Sequence, residues 1–194
     1  MLAIKRLAVV WLVLLLQGCD TNFEMTAQER GLLITAAEFA PYVDGSHDRT
    51  RGRFKKELNV LTGSRDLSYD FEFREDAKEP PLFVSCTISI EPRLLKPYGR
   101  ATRKIGAALG FALGKLKQEP LQGFPTYGDR SSIHLLTLDD RPVGNLFIAE
   151  YGRKSVTLIL TGVYVRDPAV WQEMLEKKLR LLADYEEPEP RARK

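Results

Sequence analysis

The cysteine at position 19 stands in the chain's most informative chemical context. It closes Leu16-Gln17-Gly18-Cys19, at the end of the ten consecutive apolar residues 7–16. Lys5 and Arg6 precede this run, and no acidic residue accompanies them. A basic start, a short apolar stretch and a small residue before the cut are typical of a secretory signal peptide. Ten residues of helix span about 15 Å, half of a bilayer core, so the run is too short for a permanent transmembrane anchor.

The Leu-x-Gly-Cys ending resembles the lipobox of bacterial lipoproteins. In that family the cysteine thiol is acylated with diacylglycerol, the signal is cut before the cysteine, and the new amine is often acylated too. The resemblance implies that Leu16, Gln17 and Gly18 are read by the signal peptidase and that Cys19 is the lipidated first residue of the mature protein. The alternatives are an ordinary secretory signal that ends near a cysteine and an uncleaved apolar anchor.

The resemblance also implies a location. We expect a lipid-anchored protein of the bacterial cell envelope that faces the periplasm. Asp20 follows the lipidated cysteine, and an aspartate there resembles the inner-membrane retention signal of enteric lipoproteins. We therefore favour the inner membrane, with the outer membrane as the alternative.

Two histidines and one further cysteine are the remaining candidates for chemistry. Cys86 lies at an apolar position of a predicted strand, where we expect a buried thiol rather than a nucleophile. His134 also lies on a predicted strand, and we expect it to be partly buried and hydrogen-bonded rather than catalytic. His47 lies between Asp44 and Asp48, but that loop lacks the glycine and final acid of a calcium site. We predict no metal site, no cofactor and no enzymatic activity, with a Cys86 or serine hydrolase using His134 as the weakest alternative.

Three glycines spaced four residues apart form a further pattern. Gly106, Gly110 and Gly114 would share one side of a helix predicted over about Tyr98 to Lys117. Glycine inside a helix costs about 1 kcal/mol relative to alanine, so a close contact should compensate. We interpret this side as one that packs tightly on the sheet or the first helix, with an interface between two molecules and insertion into lipid as alternatives.

Composition excludes nucleic acid as a partner and favours one folded domain. Removal of the signal leaves 176 of the 194 residues, and the net charge falls from +3 to +1 because two bases are lost. No stripe of bases interleaved with aromatic residues is present. The predicted organisation is a signal peptide (1–18), a lipidated tether (19–25), a single domain (26–185) and a disordered tail (186–194).

The predicted fold is α+β, with a mostly antiparallel sheet of about five strands and two or three packed helices. The first helix starts at the capping box of Thr26 and Glu29 and continues to Pro41. Two strands, the glycine-bearing helix, a three-stranded meander and a last helix capped by Asp167 follow, in the order α-β-β-α-β-β-β-α. Residues 42–57, which include five bases, read as a polar loop. This order is similar to that of Mog1/PsbP-like domains, some of which occur as bacterial lipoproteins.

We therefore expect a membrane-anchored, non-enzymatic binding module. It would be held on the bilayer through acylated Cys19 and would bind an envelope protein or a small hydrophobic ligand, as an immunity or inhibitor lipoprotein does. The alternative is a structural or assembly lipoprotein of an envelope complex, which would use the glycine-bearing helix as its interface.

Overall fold

The computed structural model describes residues 21–42, 52–58, 63–73, 81–91 and 116–186. The strands in these ranges form one antiparallel sheet of eight strands. The strands are β1 (Thr21–Phe23), β2 (Arg53–Leu58), β3 (Arg65–Phe73), β4 (Leu82–Ile90), β5 (Leu116–Pro120), β6 (Arg130–Leu138), β7 (Arg141–Tyr151) and β8 (Lys154–Thr161). Their order across the sheet is β1-β2-β3-β4-β8-β7-β6-β5. Helix α1 is Ala27–Leu32, a 3₁₀ turn is Ala40–Tyr42, and helix α2 is Pro168–Asp184.

The α+β class and the mostly antiparallel sheet are confirmed, but the predicted count of about five strands is wrong. The two strands of the first hairpin and the three of the meander are β3, β4, β6, β7 and β8, all as predicted. Three further strands lie where the sequence predicts other structure. Strand β1 lies in the predicted tether, β2 in the predicted polar loop and β5 at the predicted end of a helix. All three lie at or next to an edge of the sheet, where a strand carries little apolar sequence signal.

The core lies between one face of the sheet, here called the core face, and helix α2. Alternate residues of β3 point into it, and Leu67, Tyr69 and Phe71 are all buried. Trp171 of α2 is fully buried beside Phe147 of β7, with ring centroids 6.2 Å apart. The period-two pattern therefore identified the correct buried side of β3.

Helix α2 begins as its sequence predicts. Asp167 accepts a hydrogen bond from the Ala169 N–H at 2.9 Å, and Pro168 occupies the first helical position, where its missing N–H costs nothing. At the other end, Lys154 Nζ donates to the carbonyls of Leu182, Ala183 and Tyr185 at 2.6 to 2.9 Å. A cation at carbonyls that have no helical partner stabilises this terminus.

The first helix is shorter than predicted because tertiary hydrogen bonds end it. The capping box of Thr26 and Glu29 is present, but α1 stops at Leu32, well before Pro41. The extended segment that follows gives its Ile34 N–H to Cys86 Sγ at 3.4 Å. The spacing of apolar residues continues past Leu32, but the chain there lies flat on the core face.

The predicted glycine-bearing helix lies mostly outside the described residues, as do Gly106, Gly110 and Gly114. Its last two positions, Leu116 and Lys117, begin β5, so the predicted end of that helix is wrong. The predicted tail is outside the described residues from position 187 onward, and so are His47, Asp44 and Asp48.

A buried amide fixes the connection between β8 and α2, and this predicts a large effect of its loss. Asn145 is fully buried; its Oδ1 accepts from the Val165 N–H at 2.7 Å, and its Nδ2 donates to the Val165 carbonyl at 3.0 Å. We expect Asn145→Leu to lower the free energy of unfolding by about 1–3 kcal/mol, because it leaves the buried Val165 N–H unpaired, whereas the Val165 carbonyl keeps the hydrogen bond from Trp171 Nε1 at 3.1 Å. Urea unfolding measures this. Ser68→Ala, which removes an exposed hydrogen bond, should change stability by under about 0.5 kcal/mol.

Candidate functional site

The candidate site is the edge of the sheet where the chain enters the fold. Leu16, Gln17, Gly18 and Cys19 lie outside the described residues, but β1 begins at Thr21, two positions after Cys19. Thr21 pairs with Leu58 of β2. The segment predicted as a tether, residues 19–25, therefore already belongs largely to the fold. The sheet begins within about 7 Å of Cys19, the reach of two extended residues.

This edge, called the β1 edge below, consists of β1 and the first three residues of β2. Strand β1 pairs only with the last three residues of β2, Lys56, Glu57 and Leu58. The side chains of the first three residues of β2, Arg53–Lys55, are all exposed. Lys55 forms an ion pair with Glu57 on the same strand.

Two exposed aromatic rings lie on the core-face side of the β1 edge. Phe23 is 49% exposed and Phe54 is 38% exposed. Phe23 pairs with Lys56, so Phe54 is its diagonal neighbour on the same face, at about 7–8 Å. The Phe54 ring lies 4.9 Å from that of Tyr69, and the Arg30 guanidinium lies 5.7 Å from the centre of the Phe54 ring.

A buried carboxylate behind these rings holds the edge in place. Glu29 Oε2 accepts from the Thr26 N–H at 2.8 Å, which completes the capping box. Glu29 Oε1 accepts from Lys56 Nζ at 2.5 Å and from the Tyr185 hydroxyl at 3.1 Å. One side chain thus joins α1, β2 and the residue that caps α2.

The charge of Glu29 is kept by its partners. Burial raises the pKa of this carboxyl, but the hydrogen bonds from Lys56 and Thr26 and the charge of Lys56 outweigh that effect. The net result is a pKa below the ordinary value of 4.5. Sequence reasoning assigned Glu29 to the capping box alone and missed the other two contacts. The sequence pattern that could have predicted β2 is the occurrence of Phe54, Lys56 and Leu58 at every second position, on one face of a strand. The charged residues around them obscured this pattern.

Cys86 is the buried residue that its strand position predicted. It is fully buried on the core face, and burial raises the pKa of its thiol to about 12. A thiol with that pKa is almost entirely protonated at neutral pH, and the thiolate is the nucleophilic form. The Cys86 sulfur serves instead as an acceptor for the backbone of the segment after α1.

His134 is partly buried, as predicted, but the predicted hydrogen bonding is not found at Nδ1. That nitrogen is buried without a hydrogen-bond partner among the described residues, and burial lowers the pKa of the ring. The strand register places His134 in one row with Leu146, Ile159 and Ser85. Cys86, next to Ser85, points to the opposite face. His134 is three strand spacings, about 14 Å, from Ser85, so the structure does not bring these groups together.

The face opposite the core face carries an apolar cluster on strands β5–β8. Three members of this cluster are fully buried, with 2% or less of each residue's surface exposed: Leu136, Leu146 and Ile148. The remaining members are Val143 and the partly buried Leu116, Leu138 and Ile159. Every described member is a strand residue, so no described helix covers this cluster.

Within the described ranges, no group of three or more metal-ligating side chains is close enough to hold an ion. The same residues include no helix with the length and apolar character needed to span a bilayer. Compared with protein-family models, with curated proteins and with solved structures, the chain matches none. The resemblances to bacterial lipoproteins and to Mog1/PsbP-like domains therefore stay predictions.

The contacts of Glu29 predict a pH-dependent stability. We expect Glu29→Gln to lower the free energy of unfolding at neutral pH by about 2–4 kcal/mol, because the partly buried Lys56 ammonium loses its counter-charge. Since the folded pKa of Glu29 is depressed, its contribution is complete above pH 4.5 and is lost as the pH falls through the folded value. The difference between Glu29→Gln and the unmodified protein should therefore shrink at about pH 3.

Urea unfolding at both pH values measures this difference. Glu24→Gln, which neutralises an exposed acid on the same segment, is the matched control. Equal stability of the Glu29→Gln variant and the control at neutral pH would contradict the assigned role of Glu29.

Proposed function

We propose that this protein is a lipid-anchored lipoprotein of the bacterial envelope that acts as a non-enzymatic binding module. The observation that carries the proposal is the lipobox-like Leu16-Gln17-Gly18-Cys19, with strand β1 beginning only two residues later. Acylation of Cys19 would hold the sheet directly at the membrane. Asp20 favours the inner membrane, with the domain on the periplasmic side.

The chemistry of the described residues supports binding rather than covalent catalysis. The Cys86 thiol is buried with a pKa of about 12, and His134 lies on the opposite face of the sheet. A nucleophile and its base must be within hydrogen-bond reach, about 2.6–3.2 Å, and these two groups are not. A partner of this module would be an envelope protein or a small hydrophobic ligand.

Lipidation gives the first test. We expect cells grown with labelled palmitate to label the unmodified protein, and we expect Cys19→Ser to abolish that label because the acylated thiol is gone. Fluorography of the immunoprecipitated protein measures this. Cys86→Ser is the matched control, and it should keep the label because that thiol is buried. Label that persists in the Cys19→Ser variant would refute the assignment.

A structural or assembly lipoprotein is the second candidate. The observation that favours it is the apolar cluster opposite the core face, to which no described helix contributes. The glycine-bearing segment leads directly into Leu116, a residue at the margin of this cluster. The segment would either pack on the cluster within one molecule or present its glycines to another protein.

Gly110→Leu separates these two uses of the glycines. We expect this variant to lose about 1–3 kcal/mol of stability, because a bulky side chain separates two closely packed elements. Thermal unfolding and co-purification from detergent-solubilised membranes measure the outcome. Lys104→Leu, which adds the same side chain on the predicted polar side of that helix, is the control and should unfold like the unmodified protein. A Gly110→Leu protein of unchanged stability that loses a co-purifying partner would assign the glycines to an interface instead.

A further inference from the structure

We propose that the β1 edge is a second membrane-contact surface, which lies against anionic phospholipid headgroups beside the acylated cysteine. This inference rests on the proposed lipidation of Cys19. It goes further, because a lipid anchor alone does not determine which side of the domain meets the bilayer.

The first argument is the short distance from the anchor to the sheet. An acylated Cys19 lies at the boundary between hydrocarbon and headgroups, and the headgroup layer is about 5–7 Å thick on each side of the bilayer. Asp20 alone separates Cys19 from β1, so Thr21 is held within about 7 Å of that boundary. Strand β1 is hydrogen-bonded to β2, so the anchor holds this end of the sheet beside the headgroup layer, and Phe23 and Phe54 reach that layer when the two strands lie along the membrane surface.

The second argument is the chemistry that this edge exposes. Phe23 and Phe54 together present two of the four large apolar side chains exposed among the described residues. Phenylalanine, with tryptophan and leucine, forms the apolar face of segments that lie at the membrane interface. Both rings lie on the same side of the edge, where two aromatic groups can enter the headgroup layer together.

The third argument is charge. Residues 49–57 contain five bases and one acid, of which Lys56 is paired with Glu29 and Lys55 with Glu57, so the arginines carry the unbalanced positive charge. Arg53 and Lys55 are exposed on β2, and Arg30 lies over the Phe54 ring. Each base near an anionic leaflet strengthens binding about fivefold. Arg53 and Lys55 point to the face of the sheet opposite the two rings, so Arg30 is the base on the ring side and the two β2 bases lie on the other side of the same edge. An edge with aromatic rings on one face and bases on both fits a bilayer that contains acidic phospholipids.

Tryptophan placed at the edge tests the contact. The lipidated full-length product, purified from host membranes, is reconstituted in vesicles of phosphatidylcholine mixed with phosphatidylglycerol and a phosphatidylcholine brominated high in its acyl chains. We expect the emission added by Phe54→Trp to be quenched in these vesicles. Tyr164→Trp is the matched control, since Tyr164 is 47% exposed and has an arginine over its ring at 5.8 Å, but follows β8, away from this edge. We expect its emission to be unquenched.

The basic residues make a separate contribution to the same signal. In the Phe54→Trp background, Arg53→Gln with Lys55→Gln should reduce the quenching, as should added salt or vesicles of phosphatidylcholine alone. Circular dichroism of each variant establishes that it is folded. The unmodified protein provides the background from Trp171, which is fully buried.

Each outcome distinguishes this inference from the proposed function. Palmitate labelling together with equal quenching at both positions, or with none, would overturn the membrane contact and leave the lipoprotein assignment intact. Absence of labelling would overturn the lipoprotein assignment. If added vesicles then still quenched the emission at position 54 and not at position 164, the membrane contact of the β1 edge would remain supported. If they quenched neither, the membrane contact and the lipoprotein assignment would both be overturned. Crosslinking from position 54 to a protein in native membranes, without quenching in vesicles, would assign the edge to a protein partner.

Discussion

The buried carboxylate of Glu29 joins three parts of the chain. Through it the N-cap of α1, the ammonium of Lys56 on β2 and the hydroxyl of Tyr185 after α2 meet at one point. A buried charge with three donors is costly to disrupt, because the loss of any partner leaves polar groups without water. Strand β2 is paired with β3 along its whole length, and the Glu29 contact adds a polar link from β2 to both helices at the thin margin of the core. The centre of the sheet depends on hydrophobic burial instead.

The polar margin also determines how the fold presents its amino-terminal side. Leu67 and Tyr69 of β3 belong to the core, whereas one strand further out Phe54 is exposed. Side chains thus change from buried to exposed between β3 and the neighbouring strand β2. As a result, aromatic rings and bases are exposed together at the β1 edge. The proposed function at this side would use this surface chemistry, and the proposed acyl group on Cys19 would determine which surface is close enough to bind.

The buried polar groups have structural partners in most cases. The Cys86 sulfur and the Tyr69 hydroxyl accept the Ile34 and Ala36 N–H groups, so the segment after α1 lies on the sheet without a strand partner of its own. Asn145 serves the same purpose at Val165. These side chains replace backbone pairing where the chain crosses the sheet, which is why residues that resemble candidates for chemistry are used for structure.

The sequence by itself determined the elements in which local pattern and burial agree. The alternation in β3, the meander of β6 to β8 and the caps at Thr26 and Asp167 could be read because each depends on residues within a few positions. The lipobox-like motif could be read for the same reason. Only the tertiary structure decided that α1 ends at Leu32, that the basic stretch before Leu58 is a strand, and that β1 starts beside Cys19. The end of α1 depends on hydrogen bonds to Cys86 and Tyr69, which are far away in the chain. Strands β1 and β2 lie at the margin of the sheet, where exposed side chains leave little alternation between apolar and polar residues.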